Sequence, residues 1–213
     1  RQMCIRDRGM EKYFQIARCF RDEDLRSDRQ PEFTQLDLEM AFVQEEDILQ
    51  LTEVMFSKLV QEIVPEKNII TPFPRITYAD AMSKSGTDKP DLRFDMKLVE
   101  FKAYVEKSDF NVFKTTLKDG GRVKAIVCPN SSEYSRKVID ELTDYLKEYH
   151  HAKGLAWMKN DQGSLTGGIS KFFPESVQSQ IISDLNINNE DIIFMIGDSE
   201  KITLEALGAL RLD

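Results

Sequence analysis

The sequence predicts an α+β fold with antiparallel pairing, and three observations carry that expectation. Two alternating runs, 13–21 and 33–42, flank a charged loop with Pro31 at its end. A run at helical spacing follows from Glu45 to Ile63. Beyond about Glu100, short apolar runs alternate with helical patterns and Gly or Pro punctuation.

In the second run, alternation puts Thr34, Leu36, Leu38, Met40 and Phe42 on one side, and Phe33, Gln35, Asp37, Glu39 and Ala41 on the other. The first run sets Phe14, Ile16, Arg18 and Phe20 against Tyr13, Gln15, Ala17, Cys19 and Arg21. A hairpin with an apolar core face and a functionalised polar face is the economical expectation, with an ordinary half-solvated face as the alternative.

Helix 45–63 carries Ile48, Leu49, Leu51, Val54, Met55, Leu59, Val60 and Ile63 three and four residues apart. Glu45, Glu46 and Asp47 suit its N-terminus, and Pro65 ends it. A short helix is expected near 78–83. In the phrase Gly86 to Arg93, Gly and Pro set a turn that Asp88 is expected to cap. Then come a strand at 122–127, a helix at 133–149, a strand at 154–158 with Trp157 in the core, a helix near 174–185, a strand at 192–196 and a helix at 204–212. His150-His151 reads as a helix end rather than a metal pair, and the glycines at 163, 167 and 168 match no phosphate-binding spacing.

Bulk properties narrow the class. The chain has 213 residues and a formal charge of -8, which argues against a general nucleic-acid binder while leaving local contact open. Three scattered cysteines, Cys4, Cys19 and Cys128, suggest neither a disulfide framework nor a zinc site and fit a cytoplasmic setting. No apolar run reaches the roughly 18 residues that span a bilayer, so no membrane partner is expected. The arginine-rich residues 1–8 read as a non-native stub, with a genuine basic arm as the alternative.

The residues Phe20-Arg21-Asp22-Glu23, Arg29-Gln30-Pro31-Glu32-Phe33-Thr34-Gln35, and then Asp37 and Glu39 resemble motif 2 of class II aminoacyl-tRNA synthetases, in the wording of the bacterial aspartyl type. The Phe-Arg-x-Glu core is shared by all class II subgroups; the loop and the Gln-x-Asp-x-Glu ending carry the specificity. The phrase from Gly86 to Arg93 is similar to a segment of the same family, although Ser85 stands where the family usually has tyrosine. The second half resembles the GAD insertion domain, which the family shares with tRNA amidotransferase subunits.

The resemblance implies an antiparallel class II catalytic region at 9–98, a GAD-like α+β insertion at 99–203, and a helix at 204–213 returning to the catalytic region. It implies an aspartate–tRNA ligase with ATP, L-aspartate and tRNA as partners, homodimeric when intact. Arg21 would be the catalytic cation bridging phosphate and substrate carboxylate, since a planar fork can hold two oxygens at once. Asp22, Glu23, Gln30 and Phe33 would bind ATP with Arg21, Phe33 by stacking on adenine. Gln35 and Asp37 would hold the aspartate ammonium, while Arg26, Asp28 and Arg29 would meet the tRNA acceptor end. Motif 1, motif 3, the anticodon-binding domain and the carboxylates for Mg2+ are expected outside this chain, which is read as an inactive middle slice. The alternative is a GAD-containing tRNA-binding module of the amidotransferase kind.

Overall fold

The computed structural model describes residues 9–22, 29–131 and 133–212, so residues 1–8 lie outside it. The chain divides into two compact units, 1–74 and 75–213. The first contains strands β1 (Lys12–Phe20) and β2 (Glu32–Met40) and helix α1 (Glu45–Ile63). β1 and β2 form a two-stranded antiparallel sheet, with Gln15 opposite Asp37, Ala17 opposite Gln35 and Cys19 opposite Phe33.

The hairpin is as expected; the burial of its faces is not. Phe14, Ile16 and Phe20 are 73%, 74% and 70% exposed, so the face expected to be core is open, and the polar face is the more covered of the two. Phe42 is not on that face at all. β2 stops at Met40, and Phe42 takes a left-handed φ of 57° and is almost fully exposed. Alternation defines two faces, but burial needs a layer laid over one of them. α1 shows the same limit: it has no fully buried residue, and Leu51, Val54, Leu59 and Ile63 are exposed. At its N-terminus the Asp47 carboxylate accepts the Gln44 N–H at 2.8 Å.

The second unit contains α2 (Tyr78–Ser85), β3 (Val99–Glu100), α3 (Lys102–Glu106), α4 (Asn111–Lys118), β4 (Arg122–Cys128), α5 (Arg136–His150), β5 (Ala156–Asp161), β6 (Ser164–Thr166), a 3-10 turn (Ser170–Phe172), α6 (Glu175–Asp184), β7 (Ile192–Asp198) and α7 (Glu200–Leu210). Its sheet runs β3-β4-β7-β5-β6 with every neighbouring pair antiparallel. β7, last in sequence, lies between β4 and β5 and is buried along its whole length.

Two cores flank this sheet. Ile193 and Met195 pack with Val105, Phe113, Val177 and Ile181 of α3, α4 and α6. Ile192, Phe194 and Ile196 pack with Ile139 and Leu146 of α5 and Leu204 and Leu207 of α7. The period-2 alternation of β7 thus serves two apolar layers, which is why the strand reads as a continuous apolar run.

Several boundaries move for local reasons. α5 begins at Arg136 because the Ser135 hydroxyl accepts the Val138 N–H. It ends where His151 takes φ 57° as C-cap, with the His150 ring 3.3 Å from the Tyr145 hydroxyl. α7 begins at Glu200 behind the Ser199 cap, and its inner face is buried within this unit. Ser83 and Glu100 are tied to the sheet by Lys124, whose side chain is 1% exposed and donates to Ser83 O at 2.6 Å while lying 3.1 Å from the Glu100 carboxylate. Arg211 pins the irregular stretch before β3: it donates to Met96 O (2.8 Å), Asp91 O (2.6 Å) and Phe94 O (3.1 Å) and lies over the Phe94 ring. In the turn after Gly86 the side chain that accepts is that of Thr87, from the Lys89 N–H, rather than that of Asp88. Gly167 and Gly168 serve Trp157: a Cβ on Gly168 would lie 1.9 Å from the Trp157 carbonyl oxygen. Among the described helices none is long and apolar enough to cross a membrane.

Candidate functional site

A strand sends alternate side chains to opposite faces, and directly paired residues of two strands share one face. From the register, the polar face of the hairpin carries Tyr13, Gln15, Ala17 and Cys19 from β1 and Phe33, Gln35, Asp37 and Glu39 from β2. Arg21 extends that row, because its N–H donates to Pro31 O at 2.8 Å and continues the ladder past the last β1 residue. Its guanidinium lies over the Phe33 ring, 5.2 Å from the centroid. The side chain therefore leans along the face towards Gln35, not out into the loop. Gln35 and Asp37 follow at two-residue steps, which puts Asp37 about 13 Å along the strand from Phe33.

Arg21, Phe33, Gln35 and Asp37 thus form one line: cation, aromatic ring, amide, carboxylate. The last three are half-buried and Arg21 is exposed. Such a line can take an elongated ligand with a flat ring and an anionic group at one end and a cationic group at the other. The opposite face carries a different ion pair, Arg18 with Glu32, so its charges do not enter this line.

The other expected site residues fall differently. Asp22, Arg29 and Gln30 are exposed where the strands run into the loop. Glu23, Arg26 and Asp28 lie outside the described residues. Cys19 is the neighbour not singled out from sequence. Its thiol sulfur is 4.0 Å from Gln35 Oε1 and it pairs directly with Phe33. The alternation of β1 had placed it on this face, but only the register put it beside these two residues. Among the described residues no three His, Cys, Asp or Glu side chains group as a metal site.

Comparison with known proteins gives this geometry its context. The family model for class II tRNA synthetases (D, K and N) matches residues 1–198. An aspartate–tRNA(Asp/Asn) ligase of Desulfatibacillum aliphaticivorans is 50% identical over 95% of this chain and 34% of its own length. Aspartate–tRNA ligases of Halalkalibacterium halodurans and Geobacillus kaustophilus are 46% and 48% identical, each over 96% of this chain and 34% of the relative. The chain therefore spans about a third of the length of the relatives it matches. With the match running through both compact units, the chain belongs to the class II tRNA synthetases of the aspartate, lysine and asparagine group.

Proposed function

We propose that this chain is a segment of a bacterial-type aspartate–tRNA ligase whose polar hairpin face forms part of the site that activates L-aspartate with ATP. The observation that carries the reading is the single line of Arg21, Phe33, Gln35 and Asp37 on one face. In the first step an aspartate carboxylate oxygen attacks the α-phosphorus of ATP. A P–O bond forms as the bond to pyrophosphate breaks, and negative charge builds on the phosphate oxygens. Arg21 offers two donors to that charge and to the carboxylate together, so its support grows as the reaction proceeds. Phe33 provides a stacking face for adenine. Gln35 and Asp37 hold the ammonium, fixing the carboxylate end towards Arg21. In the second step a ribose hydroxyl of tRNA attacks the aspartyl carbonyl and AMP leaves.

Asp22, Glu23 and Gln30 are assigned to the nucleotide, and Arg26, Asp28 and Arg29 to the tRNA acceptor end, on the family resemblance. Magnesium would accompany ATP in the intact enzyme. The described residues offer no grouped donor set that fits the ion, so no step here runs through it. The assignment of 9–98 to the catalytic region, of 99–203 to a GAD-like insertion and of 204–213 to a returning helix is kept as part of this proposal, as are a homodimeric whole and a cytoplasmic setting. The alternative amidotransferase-type binding module is not favoured, because the relatives described above are ligases and match across both units.

The test is aspartate-dependent ATP–pyrophosphate exchange by the full-length protein that contains this chain. Exchange in the wild type and its loss in Arg21→Ala are expected. An Arg21→Ala protein with normal exchange but weakened tRNA binding would favour the binding-module reading instead. The 213-residue chain alone is expected to give no exchange.

A further inference from the structure

We infer that Gln15 is a positioning residue for the amino-acid end of the site, acting through Asp37; the inference rests on the ligase reading above. Gln15 is the direct ladder partner of Asp37, and both side chains stand on the face that carries Arg21, Phe33 and Gln35. Direct partners have Cβ atoms about 5 Å apart, so a glutamine amide reaches a facing aspartate carboxylate without moving the backbone. Gln15 is exposed and Asp37 half-buried, which leaves the amide free to choose its partner while the carboxylate is confined.

The chemistry of the row explains why an amide belongs there. Asp37 and Glu39 stand two residues apart on this face, and the residues opposite them are Gln15 and Tyr13, both uncharged. The basic residues of β1, Lys12 and Arg18, point to the other face. A lysine opposite Asp37 would hold the carboxylate but also neutralise it, weakening its pull on a ligand ammonium. A neutral N–H donor fixes one carboxylate oxygen and leaves the negative charge in place. With one oxygen held, the other is directed along the face towards Gln35, where the ammonium would lie. Gln15 itself touches no substrate in this arrangement.

The experiment uses the full-length ligase and compares wild type with Gln15→Met, which keeps the length and removes the amide, and Gln15→Lys, which adds charge. Pyrophosphate exchange is measured against aspartate and against ATP. Inhibition by succinate, which lacks the ammonium, is measured alongside thermal denaturation. Loss of one hydrogen bond to a charged group predicts that Gln15→Met raises KM for aspartate about tenfold. KM for ATP, the succinate inhibition constant and the melting temperature should stay near wild type. Gln15→Lys should weaken aspartate further and leave succinate unaffected or better bound. An unchanged KM for aspartate in Gln15→Met, or equal losses for aspartate and succinate, overturns the assignment while leaving the ligase reading intact. A wild-type protein without exchange activity overturns the ligase reading itself and this assignment with it.

Discussion

The two compact units use the same strand grammar to different ends. In β7 of the second unit, alternate apolar residues enter two separate cores, and Ile192 through Ile196 are all buried. In β1 of the first unit, Phe14, Ile16 and Phe20 share a face as regularly, yet remain mostly exposed. Burial stabilises by roughly 25 cal/mol per Å2 of apolar surface removed from water, so a regular apolar row contributes little until something covers it. The second unit draws its stability from layers on both sides of a five-stranded sheet. The first offers a two-stranded ribbon whose polar face carries the residues of chemical interest.

The comparison can be tested by perturbing one unit and reading both. The largest effect is expected at the site: Arg21→Ala in the full-length ligase should lower aspartate-dependent exchange about 100- to 1000-fold. Denaturation of the 75–213 unit should be unchanged by it. Next, Ile193→Ala should destabilise the second unit by about 3 kcal/mol in urea denaturation, whereas Ile16→Ala, a truncation of the same size on the open face, should cost less than about 0.5 kcal/mol in this chain. Equal costs would show that the hairpin face is covered after all. Gly168→Ala should cost about 2 kcal/mol, because its Cβ would press on the Trp157 carbonyl. Gly163→Ala meets no neighbour within 4 Å and should cost less, through its positive φ alone.

The smallest effect concerns pH. Burial, and then the hydrogen bond its hydroxyl donates to Asp184, push the Tyr104 phenol up from 10.0 to about 12. Folding therefore favours the neutral phenol. Its contribution is complete below pH 10.0 and is lost as the pH climbs towards about 12. Tyr104→Phe should cost about 1 kcal/mol at neutral pH and flatten the alkaline end of the stability profile, as followed by denaturant midpoints across pH.

Much of the second unit was readable because its elements are long enough to show a period. β4, α5, β5, α6 and β7 all occur within a few residues of their expected positions. β3, α3, α4 and β6 are short, with two to eight residues each, and show no period of their own before the packing imposes one. The role of the 91–96 stretch was hidden because its partner, Arg211, lies 115 to 120 residues further on. The glycines at 167 and 168 announced a turn, but not that an indole presses against it.

At the hairpin the sequence by itself determined which residues share a face, because side-chain direction alternates with every peptide unit. It determined the cation, ring, amide and carboxylate as a set. Only the tertiary structure decided the register that puts Gln15 against Asp37 and Cys19 against Phe33, and the lean that lays Arg21 over Phe33. It also decided that the apolar face would be the open one. The reason is the same in each case. Direction along a strand is local and covalent, whereas register and burial depend on what lies across from the strand and above it.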